Sequence, residues 1–462
     1  MQNLLVFLTL IFLVSCKPVE TKDNELVNIL QKQKLTVGTE YGGHSYFLRD
    51  LNPAGFEYEL IQGFADFLNV ELSVKIFSQP EAMLKALESK EIDLVASQFL
   101  FAPYQTSKFK KGPTYQYFDL VLVSHNPDHP KVKVPNISGS LWLQKDSYAS
   151  YILKEKFLKN DLNWQTHTDF DAAELLSLVA SKDVDYTITD SLLLNKTKLA
   201  IPELKEVDTL ADQLERRWLL EPNQDGALMG ALLEYFGTLQ ASGQLAILQD
   251  KYFSHIAKID YVDIREFIKS IETTLPKYRK WFNEYATEVD WTLLAALSYQ
   301  ESHWDPKAVS PTGVRGLMML TQPTAKEVGV TRRTDAQESI RGGAIYFQRL
   351  YNRLPARITK PDRIYFALAA YNLGLGHLED ARVLTQRAGL NPDYWVDVKQ
   401  FLPLLVKKKY YDQTRYGFAR GDVAVLYVEN IRRYYESLEY IIAQEELLKI
   451  TLKETGYEEN EL

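Results

Sequence analysis

Two kinds of hydrophobic spacing divide this chain near residue 258. Before it, short β-branched runs alternate with helical spacing. Residues 35–39, Leu-Thr-Val-Gly-Thr, read as a strand, and residues 55–68 carry helical periodicity after a glycine turn. A strand over 70–77, a helix over 80–89 and a buried strand over 92–96 continue the alternation. Strands and helices in this order predict an α/β domain with a mainly parallel sheet, set at residues 31–257. Beyond a mixed, charged linker at 258–270 the strand signal vanishes. Residues 271–450 predict helix after helix: 278–286, 291–300, 323–328, 339–350, 363–371, 376–387 and 422–446. An acidic tail at 451–462 closes the chain and reads as disordered.

The first residues are a different matter. Residues 4–14 are almost unbroken apolar sequence, too short for a mature membrane span. The run ends in Leu13-Val14-Ser15-Cys16 and resembles the lipobox of bacterial lipoproteins, whose cysteine is acylated after cleavage. Residues 1–16 are therefore expected to be a lipoprotein signal peptide, and 17–30, with Pro18, a polar tether. A signal peptide with a coincidental cysteine is the alternative. The leader departs from the usual pattern in one respect: Met1-Gln2-Asn3 carries no Lys or Arg. Cys16 is the only cysteine, which excludes an internal disulfide and a cysteine nucleophile in the mature chain. No second apolar run of spanning length follows, so the expected membrane attachment is by lipid.

Composition adds a little. A net charge of -8 and the lack of a long basic run argue against a nucleic-acid partner. The 28 tyrosines suit a carbohydrate surface, although any one of them is as easily core or interface filler.

The most informative stretch is Gln300-Glu301-Ser302-His303-Trp304-Asp305-Pro306 and its continuation to Met319. Asp290 is placed to cap a helix over 291–300 whose Leu293, Leu294 and Leu297 form an apolar stripe. Glu301 follows one turn after Leu297, on the same side. A carboxylate there feels the negative end of the helix dipole, and partial burial adds desolvation. Both hold its proton near neutral pH, as a general acid requires. The plain alternative is a solvated glutamate at a helix end.

The surrounding residues carry a resemblance. Glu301-Ser302, Pro306, Ala308, Ser310, Gly313 and Gly316-Leu317-Met318 match the Glu-Ser-x-x-x-Pro-x-Ala-x-Ser-x-x-Gly-x-x-Gly-Leu-Met signature of soluble lytic transglycosylases. These are family 1 enzymes of the goose-lysozyme-like fold. Ala369-Ala370-Tyr371-Asn372-Leu373-Gly374-Leu375-Gly376 matches a second block, and Tyr427-Val428 with Ile431 a third. Two departures stand out: Met319 replaces the usual glutamine and Val314 the usual alanine. The first domain resembles the extracellular solute-binding proteins of family 3. The matching pieces are 35–39, 55–68, Glu91-Ile92-Asp93-Leu94, Gly112-Pro113-Thr114-Tyr115, Val184-Asp185-Tyr186 with Thr189-Asp190, and Gly243-Gln244-Leu245. The two together resemble a group of exported, membrane-bound lytic transglycosylases.

The resemblance implies a fold class: a bilobed, periplasmic-binding-protein-like α/β domain, then an all-α, lysozyme-like transglycosylase domain. It implies peptidoglycan as partner, the periplasmic face of the outer membrane as location, lipid-anchored or peripheral, and neither cofactor nor metal. Glu301 would be the single catalytic carboxylate, protonating the glycosidic oxygen and then deprotonating the muramyl C6 hydroxyl to close a 1,6-anhydro ring. Asp305, the only acidic neighbour, precedes Pro306 and suits a turn. Ser310, Met318, Met319, Tyr371, Asn372 and Tyr427 would hold the glycan or the acid. Their plainer roles are a loop cap for Ser310, core filler for Met318 and Met319, and a helix C-cap for Asn372. His303 has no task in this chemistry.

In the first domain the family's carboxylate-binding arginine is absent from residues 102–109, where Lys108 is a substitute and Gln105 lies nearer the place. Asp190 matches the aspartate that receives a ligand amine, and serves equally as an N-cap. The implied ligand is a muropeptide or an amino-acid-like solute that regulates the enzyme. The alternatives are a lysozyme-like hydrolase using the same acid, and a binding or sensory lipoprotein without activity.

Overall fold

A computed structural model describes residues 24–454, apart from 43, 50–51, 126–132, 158–161, 223–225, 257–260 and 312. Cys16 and the leader lie outside the described residues. The chain forms two compact units. One runs to Phe99 and adds Tyr104–Thr114 and Arg217–Thr238; the other holds Leu100–Pro103, Tyr115–Arg216 and everything from Leu239.

The first unit opens with α1 (Glu25–Lys32), then β1 (Lys34–Thr39), α2 (Phe56–Leu68), β2 (Glu71–Ile76), α3 (Pro80–Glu88) and β3 (Leu94–Val95). The tether expected at 17–30 is thus cut short. Asn24 caps α1 by accepting from the Val27 amide at 3.0 Å, and Ile29 is buried. β1 pairs in parallel with β2, Lys34 opposite Glu71, and with β3, Val37 opposite Leu94. Parallel neighbours need crossovers, and α2 and α3 supply them. Their apolar faces (Leu60, Ile61, Phe64, Met83 and Leu87) are buried with Leu35 and Val37.

The second unit contains the rest of the α/β domain and all of the helical one. β4 (Lys110–Ser124) runs antiparallel to β5 (Tyr186–Asp190), with Leu120 opposite Asp190. α4 (Ser191–Thr197), β6 (Lys205–Leu220) and α5 (Gln244–Tyr252) follow. The strands β4 and β6 each pass from one unit into the other.

From residue 261 the described residues form helices and no strands. The linker expected at 258–270 is instead largely helix: α6 (Tyr261–Thr273) places Ile264, Phe267 and Ile271 in the core of the helical domain. Their three- and four-residue spacing is helical, but the intervening charges made the segment read as a connector. The main helices after it are α7 (Trp291–Ser302), α8 (Ala336–Arg353), α9 (Asp362–Leu373), α10 (Trp395–Phe401) and α11 (Gly421–Glu454). α11 continues into the expected acidic tail as far as Glu454. One hydrophobic core, from Ile264 to Leu438, joins them.

A buried ionic cluster ties α5 to this helical core. Arg432 of α11, 4% exposed, donates to Asp250 Oδ2 and to Glu429 Oε2, both at 3.0 Å. Lys399 of α10 also reaches Asp250, and the Arg432 guanidinium lies 4.3 Å from the Tyr365 ring. Burial pushes the Asp250 carboxyl up, but Arg432 and Lys399 outweigh it and leave it below the ordinary carboxylate range.

Candidate active site

α7 positions the candidate acid. It is buried on nearly every face, from Thr292 to Tyr299, so it is a central helix whose burial extends well beyond the stripe of Leu293, Leu294 and Leu297. Asp290 has the extended backbone of an N-cap but caps nothing with its side chain, which accepts from Tyr435 at 2.9 Å instead. The helix stops abruptly after Ser302. His303 and Trp304 both take left-handed backbone conformations, φ 50° and 58°, which non-glycine residues rarely adopt. The strain is held by packing: Trp304 is buried and its indole N–H donates to the Ala295 carbonyl at 2.9 Å. Glu301 therefore sits in the last turn of a rigid helix. His303 is exposed, edge-on to Tyr299.

The following loop folds back over that helix end. Ser298 and Ser302 both donate to the Leu317 carbonyl, at 3.1 and 2.9 Å. Gly316 has φ +85°, and a Cβ there would fall 1.8 Å from the Arg333 carbonyl oxygen, so only glycine fits. The Met318 amide donates to Ser339 Oγ at 3.1 Å, and the Met318 side chain lies against Gly343 of α8. Met318 is fully buried. Its side chain belongs to the core, which corrects the expectation that it lines a sugar subsite. Its carbonyl is the part that faces the site, accepting from the Tyr371 hydroxyl at 2.8 Å. Met319, half-buried at φ 44°, is the next residue along.

Three helices converge on the carboxyl. Tyr427 of α11, 5% exposed, donates its hydroxyl to Glu301 Oε1. Tyr371 of α9 lies close enough for the Glu301 charge to act on it, and its ring meets Tyr346 edge-on at 5.3 Å. Burial pushes the Glu301 carboxyl up to about 7, against the pull of the Tyr427 hydrogen bond. Burial and the Glu301 charge in turn push both tyrosines well above their ordinary range, so they stay neutral donors. Among the described residues no other carboxylate contributes to the shift of Glu301. Asp305 is exposed and turned to the Lys307 amide at 2.8 Å.

The other expected residues are described by their local partners. Ser310 accepts from the Val314 amide at 3.3 Å and closes its own loop. Asn372 is exposed at the end of α9. Asp190 caps α4 through Oδ1, accepting from Leu193 at 2.8 Å. Lys108 is exposed and ion-paired with Glu88. Among the described residues no group of three or more His, Cys, Asp or Glu is arranged to hold a metal, and no helix is long and apolar enough to cross a membrane. Sequence reasoning missed Ser339, Gly343 and Trp304, which shape the site through packing and leave no periodic signal.

Residues 281–391 match the transglycosylase SLT domain, and residues 35–255 match the bacterial extracellular solute-binding proteins of family 3. Over its length the chain is 44% identical to membrane-bound lytic murein transglycosylase F of Shewanella pealeana, covering 97% of this chain and 94% of that one. The chain belongs to the membrane-bound lytic murein transglycosylase F family. Its members from Alteromonas mediterranea, 45% identical over 91% of this chain and 92% of theirs, and Aliivibrio fischeri, 43% over 95% and 89%, are similarly related. The two domains of this transglycosylase F family member are thus a solute-binding module and an SLT module. Tyr427 lies beyond the segment matched to the SLT domain and reaches the acid through the fold.

Proposed function

We propose that this enzyme, a peptidoglycan lytic transglycosylase carrying a solute-binding domain, works through one carboxylate, Glu301. The observation that carries this reading is a carboxyl whose proton affinity is set by burial and one tyrosine, with no second carboxylate among the described residues acting on it. A carboxyl with its pKa near 7 is suited to both halves of an acid–base cycle at neutral pH. In the first half Glu301 gives its proton to the oxygen linking N-acetylmuramic acid to N-acetylglucosamine, and the C1–O bond breaks. In the second half the Glu301 carboxylate takes the proton of the muramyl C6 hydroxyl as that oxygen bonds to C1. Glu301 ends as it began, and the product is a 1,6-anhydro sugar with no water consumed. A hydrolase with two carboxylates would need the second across the sugar. Tyr427 holds the Glu301 rotamer, and Tyr371 braces the Met318 carbonyl beside it.

The test is product analysis on purified sacculi. Anhydro-ended fragments from the wild type, absent with Glu301→Gln, support the reading; reducing-ended fragments, heavier by one water, would replace it with hydrolysis. Two further readings rest on the leader and the first domain. Cys16 is the site of acylation that holds the enzyme at the periplasmic face of the outer membrane, tested by loss of membrane fractionation in Cys16→Ala. The solute-binding domain regulates turnover through its ligand, and equal rates with and without a bound ligand would remove that reading.

A further inference from the structure

The block Gly374-Leu375-Gly376 ends on a glycine that the acid does not explain. A Cβ at Gly376 would lie 2.8 Å from the Tyr416 ring, so glycine is what lets that ring close onto the backbone. Tyr416 is nevertheless 53% exposed. Its place is fixed by Asp380, 4% exposed, which accepts from the Arg415 and Tyr416 amides at 3.0 and 2.8 Å. Arg387 Nη1 donates to the Gln413 carbonyl at 3.0 Å and holds the same loop, and His377 meets the Tyr416 ring edge-on at 6.1 Å. Burying a carboxylate is costly, and here it anchors the backbone of a surface loop. The result is an open aromatic ring held in one position. Phe418, 55% exposed, stands two residues on, its ring at 86° to that of Tyr411.

The charge of this segment runs against that of the chain. Residues 407–420 hold Lys407, Lys408, Lys409, Arg415 and Arg420 against one acid, Asp412, a net charge of +4 in a chain of net charge -8. All five cations are exposed. Lys408 is paired with Asp412 and Arg420 with Asp422, which leaves Lys407, Lys409 and Arg415 without an acidic partner among the described residues. Lys409 and Arg415 lie instead over aromatic rings, those of Tyr410 and Tyr416, at 5.7 and 5.5 Å.

Both sides of the segment lead to the acid. Tyr371 stands five residues before Gly376, a chain reach of at most about 18 Å. α11 starts at Gly421, directly after the segment, and delivers Tyr427 to Glu301. Val423, one turn before Tyr427 on the same face of that helix, is 38% exposed. A peptidoglycan strand is a row of sugar rings with apolar C–H faces, and its stem peptides carry free carboxylates. We propose that residues 407–420 bind the strand beside the cleavage point: a sugar ring stacks on Tyr416, and stem-peptide carboxylates meet Lys407, Lys409 and Arg415. This rests on peptidoglycan being the substrate, and adds to it a preference for strands whose peptides are charged.

The full-length chain is assayed on two forms of soluble, uncrosslinked strand, one native and one with its peptide carboxylates capped as methylamides. New chain ends are counted whether anhydro or reducing, so hydrolysis in place of ring closure would leave the comparison intact. The wild type is expected to show kcat/KM about tenfold lower on the capped strand. Lys407→Gln/Lys409→Gln/Arg415→Gln is expected to cleave both strands alike, at the capped level. Tyr416→Ala is expected to raise KM about fivefold on both strands, with kcat and the pH profile unchanged, and Tyr416→Phe to keep the wild-type KM. A preference that survives the triple variant, or a Tyr416→Ala loss confined to kcat, overturns the proposal. So does an unchanged preference together with weaker binding of the triple variant to phosphatidylglycerol vesicles, which assigns the segment to a membrane surface. If Tyr416→Ala unfolds, the triple variant, altered only at exposed side chains, decides alone.

Discussion

Tyr427→Phe isolates one of the two forces that set the acid. Burial raises the Glu301 pKa and the Tyr427 hydroxyl lowers it, with the balance at about 7. Phenylalanine keeps the ring and the packing of α11 but removes the donor. A hydrogen bond to a charged group contributes about 1.5–3 kcal/mol, and one pKa unit corresponds to about 1.4 kcal/mol. Losing it therefore raises the Glu301 pKa by roughly one to two units, and the acid stays protonated to higher pH. The assay is the initial rate of anhydromuropeptide release from sacculi across roughly pH 5 to 9, wild type against variant. The alkaline limb is expected to move up by that one to two units, with a lower maximal rate because the carboxyl rotamer is no longer held. A limb that stays in place or moves to lower pH would refute the account. Stability supplies an independent reading. From the ordinary 4.5 to about 7, folded Glu301 holds a proton that the unfolded chain has released. Its contribution is thus fully present below 4.5 and lost as pH rises through 7, a change of about 3 kcal/mol for 2.5 units.

Three further outcomes are expected. Glu301→Gln should lower anhydro-product formation by about a hundredfold to ten-thousandfold and flatten that loss of stability with pH, seen as a melting temperature varying less between acid and neutral buffer. Gly316→Ala puts a methyl group 1.8 Å from the Arg333 oxygen at a left-handed φ; it should lower the melting temperature and activity together, because the loop carrying Leu317 and Met318 must shift. Arg432→Met leaves Asp250 buried with Lys399 and the Ser254 hydroxyl but without its buried arginine, and should cost about 3–5 kcal/mol in denaturant unfolding, more than the double variant Asp250→Leu/Arg432→Met.

How much was legible depends on the range of the interaction. Helical spacing located the helix that carries Glu301, and the Gly316-Leu317-Met318 corner was visible because glycine is demanded by backbone geometry. Helix α6 was misread as a linker because Ile264, Phe267 and Ile271 are separated by charged residues. Met318 was assigned to a subsite because it falls within the matched signature, whereas its side chain packs against Gly343, a residue of another helix.

The sequence alone determined the order of elements and the break from sheet to helices, which follow from local periodicity, and it singled out Glu301 as the candidate acid through a signature of residues only a few positions apart. The tertiary structure alone decided what that acid is worth. Its proton affinity is set by the depth of burial and by a tyrosine 126 residues away, and neither exists until distant helices pack together.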